Sequence, residues 1–231
     1  MSSAIAVKNL TKRYGNFVAL DDVNITVNGG KIIGLLGPNG SGKTTFLKCL
    51  SGLLDYEGEI KIHGEEIGVN TKKIVSFLPE RTYLDYSMKV SEVFDFFAEF
   101  YGDFDLERAY ELLATLGVDK NAPLKTLSKG TKEKVQLIAV MARKALVYLL
   151  DEPIGGVDPA AREFIIKTIL TRVNEGATII ISTHLIRDIE EILDEYIFIN
   201  GSKMVAYGNV KAVHEQGGTV DGLFREVFRC F

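Results

Sequence analysis

The chain has little with which to staple, anchor or charge itself. Its two cysteines, Cys49 and Cys230, lie far apart and show neither C-x-x-C nor metal-ligand spacing. That excludes a disulfide framework or a thiolate metal cluster and suits a reducing compartment. The first residues, Met1-Ser2-Ser3-Ala4-Ile5-Ala6-Val7-Lys8, lack the long apolar stretch of a secretory leader, so none is expected. No run reaches the length that spans a bilayer, because the longest, Val135 to Leu150, is interrupted by Arg143 and Lys144. The chain is therefore expected to be soluble by itself and to meet any membrane through a protein partner. Neither sign of charge dominates. With 27 basic and 31 acidic side chains the formal net charge is −4, which offers no broad positive field to DNA, RNA or anionic lipid, and no nucleic-acid partner is expected. Internal repeats, low-complexity segments and long linkers are lacking too.

What is present is a large apolar complement. At 46% hydrophobic residues over 231 positions, the chain can build a substantial interior as one large domain or as a core with a smaller lobe. Short alternating segments, Ile5 to Leu10, Val18 to Leu20 and Val23 to Val27, are punctuated by Gly15-Asn16 and Gly29-Gly30, which reads as an antiparallel β layer. Four later runs, Ile32 to Leu36, Ile74 to Leu78, Leu146 to Leu150 and Thr178 to Ile181, are almost continuously apolar, as parallel strands covered on both faces are. Between Glu80 and Lys144 the period becomes helical, with Val93, Phe97 and Phe100 on one stripe and Leu106, Ala109, Leu112, Leu113 and Leu116 on another. The expectation is a single α/β domain over 1–231, with a core from 1–79 and 145–231 and an inserted helical lobe at 80–144.

Residues 37 to 44 read Gly37-Pro38-Asn39-Gly40-Ser41-Gly42-Lys43-Thr44, a complete G-x-x-x-x-G-K-[ST] loop between a strand pattern and a helix pattern. Its glycines let successive N–H groups turn inward around an anion, and the helix starting near Gly42 adds its positive end. Lys43 is placed to reach the β- and γ-phosphates, the Thr44 hydroxyl to hold Mg²⁺, and Thr45 follows them. A glycine-rich turn that binds nothing is the alternative. The expected core is accordingly that of a P-loop NTPase with a mixed or parallel sheet. Downstream, Leu146 to Leu150 ends in Asp151-Glu152-Pro153. At the carboxyl edge of a sheet, Asp151 can hold Mg²⁺ through water and Glu152 can polarise an attacking water. Standing alone, the same tripeptide would merely cap a strand and start a turn.

With these two motifs in place the chain resembles the nucleotide-binding subunit of an ABC transporter over essentially its full length. Tyr14, in Lys12-Arg13-Tyr14-Gly15, matches the aromatic residue that stacks on adenine, although a tyrosine before a glycine turn also serves simple packing. Leu127-Ser128-Lys129-Gly130-Thr131 resembles the Leu-Ser-Gly-Gly-Gln signature. The resemblance implies that Ser128 and Gly130 face the γ-phosphate of the other subunit across a dimer interface, while Ser128 acting only as a helix cap stays open. Ile154-Gly155-Gly156-Val157-Asp158 is similar to the loop between the two sites, and Ser182-Thr183-His184 to the switch histidine.

Two positions depart from the family pattern. Glu80, in Phe77-Leu78-Pro79-Glu80, stands where a metal-contacting glutamine is usual, and Lys129 and Thr131 replace a glycine and the glutamine of the signature. Glutamate still supplies an oxygen to Mg²⁺, but adds negative charge near the phosphates. Lys129 brings positive charge to the place of the partner's nucleotide. The combination is similar to cassettes of the ABC-2-like exporter group. The resemblance implies an ATPase that uses ATP and Mg²⁺, pairs as a homodimer or heterodimer with a second ATPase subunit, and drives a separate multi-spanning membrane subunit. Its place would be cytoplasmic, peripheral on the inner face of the cell membrane. A soluble nucleotide-gated switch acting on nucleic acid or the ribosome is the alternative, and a binding-only cassette a third reading. The apolar stripe Leu223, Phe224, Val227, Phe228 and Phe231 is expected to pack back on the core. The aromatics Tyr83, Tyr86, Phe94, Phe96, Phe97, Phe100 and Tyr101 are expected mostly inside the lobe, with some left for a membrane subunit.

Overall fold

The computed structural model describes residues 3–157, 159–172 and 176–229. It opens with two long strands, β1 (Ser3–Tyr14) and β2 (Phe17–Asn28), paired antiparallel across the Gly15-Asn16 turn. The alternating segments Val18 to Leu20 and Val23 to Val27, read separately from the sequence, form one strand. Their polar break is absorbed as a bulge: Asn9 and Asp22 both take φ of 50°. The Asn9 N–H donates to Asn24 Oδ1 at 2.8 Å and the Asp22 N–H to Thr11 Oγ1 at 3.1 Å, so side chains satisfy main-chain donors that the ladder drops.

The next strand, β3 (Ile32–Leu36), leads through a tight loop into α1 (Lys43–Leu50). Then β4 (Glu57–Ile62) and β5 (Glu65–Glu66) complete a four-stranded antiparallel layer in the order β2-β1-β4-β5. They are followed by α2 (Val69–Ile74), β6 (Val75–Leu78) and three longer helices, α3 (Val90–Phe100), α4 (Leu106–Thr115) and α5 (Lys129–Met141). The chain returns through β7 (Val147–Asp151), α6 (Pro159–Arg172), β8 (Thr178–Thr183) and α7 (Ile186–Ile189). It finishes with β9 (Glu195–Asn200), β10 (Lys203–Asn209), α8 (Val210–Glu215) and α9 (Val220–Arg229). Strand limits move from those read in the sequence, with β1 reaching Ser3–Tyr14 and β8 running on to Thr183. Ile74 closes α2 instead of opening β6, and Leu146 stays exposed ahead of β7.

The second sheet has the order β10-β9-β3-β8-β7-β6. β3 runs parallel to β8 and β9, β8 to β7 and β7 to β6, whereas β10 is antiparallel to β9. Every residue of β7 and β8 is buried, which is why these segments read as unbroken apolar runs and not as alternation. In the register Leu36 lies beside Thr183, Asp151 beside Ser182 and Leu78 beside Leu150. Gly37, Glu152, His184 and Pro79 therefore all leave the sheet at one edge. Crossovers in a parallel sheet make this edge the natural place for a ligand.

Three apolar clusters hold the layers. The first joins the antiparallel layer to one face of the sheet through α1, with Phe46, Leu47 and Leu50 against Leu20, Leu35 and Leu149. The second covers the other face with α5, α6, α7 and α9, and here Phe224 and Phe228 stack at 4.0 Å and meet Phe198 edge-on. The terminal stripe thus packs back as expected, while Phe231 lies outside the described residues. The third lies among α3, α4 and α5. Phe94 and Phe97 are inside it, but Tyr83, Tyr86, Phe96 and Phe100 are exposed, so the aromatic group is split more evenly than its composition suggests.

Arg143, which the sequence offers only as a break in a greasy run, is 2% exposed. Its guanidinium donates to the main-chain oxygens of Val75 (2.6 Å) and Lys73 (2.7 Å) and to Asp103 Oδ1 (3.0 Å), and lies 3.8 Å from the Tyr101 ring centroid. Five fixed donors in a plane suit such a junction.

Candidate functional site

The loop from β3 to α1 is shaped by close approach. A Cβ on Gly37 would collide with the Ile199 carbonyl oxygen, and one on Gly42, at φ 112°, would sit 2.6 Å from the Ala19 carbonyl oxygen. Only glycine fits at either point. The Ser41 N–H donates to Pro38 O at 3.2 Å and the Phe46 N–H to Gly42 O at 2.8 Å, so the turn passes directly into α1 and leaves the first-turn N–H groups pointing outward. A cleft of about 1150 Å³ opens over this loop, and Asn39, Gly40, Gly42, Thr44 and Thr45 line it.

Lys43 heads α1 with its side chain 6% exposed. The ammonium donates to Gly37 O at 2.8 Å and Pro38 O at 3.2 Å and lies 3.6 Å from Glu152 Oε1. Burial pushes its pKa below the ordinary lysine value, opposed chiefly by Glu152 and then by Asp151 and Glu80. A polyanion entering the cleft would favour the charged form further.

The two acids differ in how they are held. Asp151, 1% exposed at the end of β7, receives hydrogen bonds on Oδ1 from Thr44 Oγ1 (3.0 Å) and Ser182 Oγ (2.6 Å). Its Oδ2 is buried with no hydrogen-bond partner among the described residues, as is Ser41 Oγ. Such atoms are costly to leave unsatisfied and mark a place for a ligand or cation. Glu152 follows in the left-handed region at φ 48°. Its N–H donates to the Ser182 carbonyl oxygen and hydroxyl, both at 3.0 Å, and its carbonyl accepts from the Gly155 N–H. Its carboxylate reaches His184 Nδ1 at 3.1 Å as well as Lys43. A bulky residue in αL costs on the order of 1 kcal/mol, which the five surrounding contacts offset.

Glu80 is exposed on the loop after β6 and lines the same cleft, as does half-exposed His184. Tyr14 stands at its rim, with Lys12 Nζ 5.3 Å from the ring centroid. Ser128 and Gly130 are not among the described lining residues, although Lys129 and Glu133 are. Ser128 instead caps α5, its Oγ accepting from the Thr131 N–H at 3.2 Å. Asp158 lies outside the described residues. Two contributors were given no role by the sequence. Phe17, exposed at the rim opposite Tyr14 across the turn, was signalled only by an aromatic on each side of Gly15-Asn16. Ser182 stood in the Ser182-Thr183-His184 segment quoted for the histidine, with no role given to its own hydroxyl.

No group of three or more His, Cys, Asp or Glu among the described residues could hold a metal by itself. The donor set of one carboxylate oxygen and one hydroxyl instead fits Mg²⁺, which takes one or two protein oxygens and completes its shell with water and phosphate.

Comparison with known proteins gives the chain its family. The family model for ABC transporters matches residues 20–155, more than half of the chain. An uncharacterized ABC transporter ATP-binding protein of Methanocaldococcus jannaschii is 35% identical over 92% of this chain and 80% of its own length. The SkfA peptide export ATP-binding protein SkfE of Bacillus subtilis is 33% identical over 91% of each. Among solved structures, that of an ATP-binding subunit of an ABC transporter superposes with a TM-score of 0.88 at 27% identity, covering 98% of this chain and all of that one. The chain belongs to the ABC transporter family, as an ATP-binding subunit whose ATPase activity powers transport.

Proposed function

We propose that this subunit binds MgATP in the cleft at the carboxyl edge of β3, β7 and β8, pairs head to tail with a second ATPase subunit, and drives a separate multi-spanning membrane subunit that exports its cargo. ATP-binding subunits of this family dimerise and work with membrane subunits. Export is supported by the Bacillus subtilis relative named for peptide export and by the Leu-Pro-Glu and Leu-Ser-Lys-Gly variants at Leu78 to Glu80 and Leu127 to Gly130. No helix among the described residues is long and apolar enough to cross a membrane, so the membrane contact is assigned to the partner, with this subunit peripheral on its cytoplasmic face.

The observation that carries the reading is the divided state of Asp151, one oxygen saturated by Thr44 and Ser182 and the other buried without a hydrogen-bond partner among the described residues. Thr44, Asp151 and Glu80, which lines the same cleft, would hold Mg²⁺, and the ion would neutralise charge on the β- and γ-phosphates. Lys43 and the N–H groups of residues 37–45 bind the phosphates. Glu152 orients and deprotonates the water, and His184, already 3.1 Å from Glu152, contacts the γ-phosphate and fixes that carboxylate. Tyr14 stacks on the base. Ser128 and Gly130 at the head of α5, with Asp158, serve the opposite subunit's nucleotide, and the unit at 80–144 meets the membrane partner.

The test is Glu152→Gln. It should bind MgATP, run as a dimer on gel filtration with ATP, and turn over at least about a hundredfold more slowly. A monomer with ATP, or unchanged turnover, overturns the assignment.

A further inference from the structure

We propose that Ser182 is a positioning residue that sets both acids of the site with one hydroxyl. The inference rests on the metal and water roles given above to Asp151 and Glu152. Ser182 is fully buried at the end of β8, directly beside Asp151 in the parallel register. Its Oγ–H donates to Asp151 Oδ1 at 2.6 Å while the same oxygen accepts the Glu152 N–H at 3.0 Å. A hydroxyl has a single proton, so the direction of this pair is fixed: carboxylate and amide N–H cannot exchange roles.

Two consequences follow from that geometry. First, Ser182 and Thr44 both donate to Oδ1, which commits that oxygen and turns Oδ2 to a place where it meets no hydrogen-bond partner among the described residues. Without the serine the carboxylate keeps only the longer Thr44 bond on that oxygen, and its last torsion, whose preference is broad, is less tightly set. Second, the Glu152 N–H is shared between the Ser182 hydroxyl and carbonyl oxygen, and this holds the left-handed turn that aims Glu152 at Lys43 and His184. The hydroxyl is engaged by Asp151 and by the Glu152 N–H. It acts on the metal site through Asp151 and on the water through Glu152.

The full-length chain carrying Ser182→Ala is compared with wild type and with Asp151→Asn by calorimetry, using a non-hydrolysable ATP analogue with Mg²⁺ and again with EDTA. Wild type should gain affinity from Mg²⁺. Ser182→Ala should lose about tenfold of that gain, the scale seen when a group supporting a metal ligand is removed, with its EDTA affinity unchanged. Ser182→Thr, which keeps the hydroxyl, should restore it. Equal losses with Mg²⁺ and with EDTA would show a merely structural serine and overturn the inference, as would a wild-type Mg²⁺ gain in Ser182→Ala while Asp151→Asn loses it. If Asp151→Asn also keeps the full gain, the metal reading itself fails, and the inference with it.

Discussion

The cleft over α1 and the head of α5 are both helix starts furnished with glycine, lysine and a hydroxyl, yet they are built in opposite ways. At α1 the lysine is 6% exposed, gripped by two carbonyls and an acid, and the hydroxyl of Thr44 is tied to Asp151 from another strand. At α5 the corresponding lysine, Lys129, is 91% exposed with a loose 3.8 Å contact to Glu133, and Ser128 bonds only to its own turn. The first is assembled by long-range contacts within one chain. The second is capped within its own turn, with Lys129 and Glu133 at the edge of the same cleft and the Lys129 side chain largely in solvent. Together they teach that the same local chemistry becomes a gripping site or a presenting site according to what the fold places across from it.

The comparison can be broken at either end. The largest effect is expected from Lys43→Ala: removing a buried cation that other groups are arranged around should weaken MgATP binding at least about a hundredfold by calorimetry. Unchanged affinity would show that the cleft does not grip phosphate through this side chain. Next is Ser128→Ala, which should reduce turnover about tenfold and lower the yield of ATP-dependent dimer, while leaving the isolated subunit's ATP affinity within about twofold. A parallel fall in affinity would put Ser128 in its own chain's cleft and erase the contrast. Loss of the cap also costs about 1 kcal/mol of stability, which thermal unfolding registers separately. The smallest effect is expected at the rim, where Tyr14→Ala should weaken ATP about fivefold through lost stacking. Restoration by Tyr14→Phe distinguishes the ring from its hydroxyl.

Much of this was legible in the sequence because it is written in local pattern. Continuous apolar runs marked β3, β7 and β8, and the order of the glycine loop, Asp151-Glu152 and His184 was enough to expect their convergence at one sheet edge. What escaped depends on partners distant in the chain. Arg143 read as an interruption because a sequence displays a charge without the carbonyls of Lys73 and Val75 that receive it. The break in β2 read as an end because the side chains that bridge the bulge, Asn24 and Thr11, lie on both strands. The left-handed turn at Glu152 has no glycine to announce it, since a buried serine on β8 and a glycine three residues on hold it in place.

Arg143 also bears on how separable the helical insert is. One cation serves the main-chain oxygens of Lys73 in α2 and Val75 at the start of β6, and the Asp103 carboxylate between α3 and α4. Cutting out residues 80–144 would strip those acceptors of their donor and carry away a guanidinium with half its coordination missing. The insert is thus not a cassette to be traded freely between relatives: a graft would have to bring this arginine and find, in the new host, two carbonyls waiting at the same spacing.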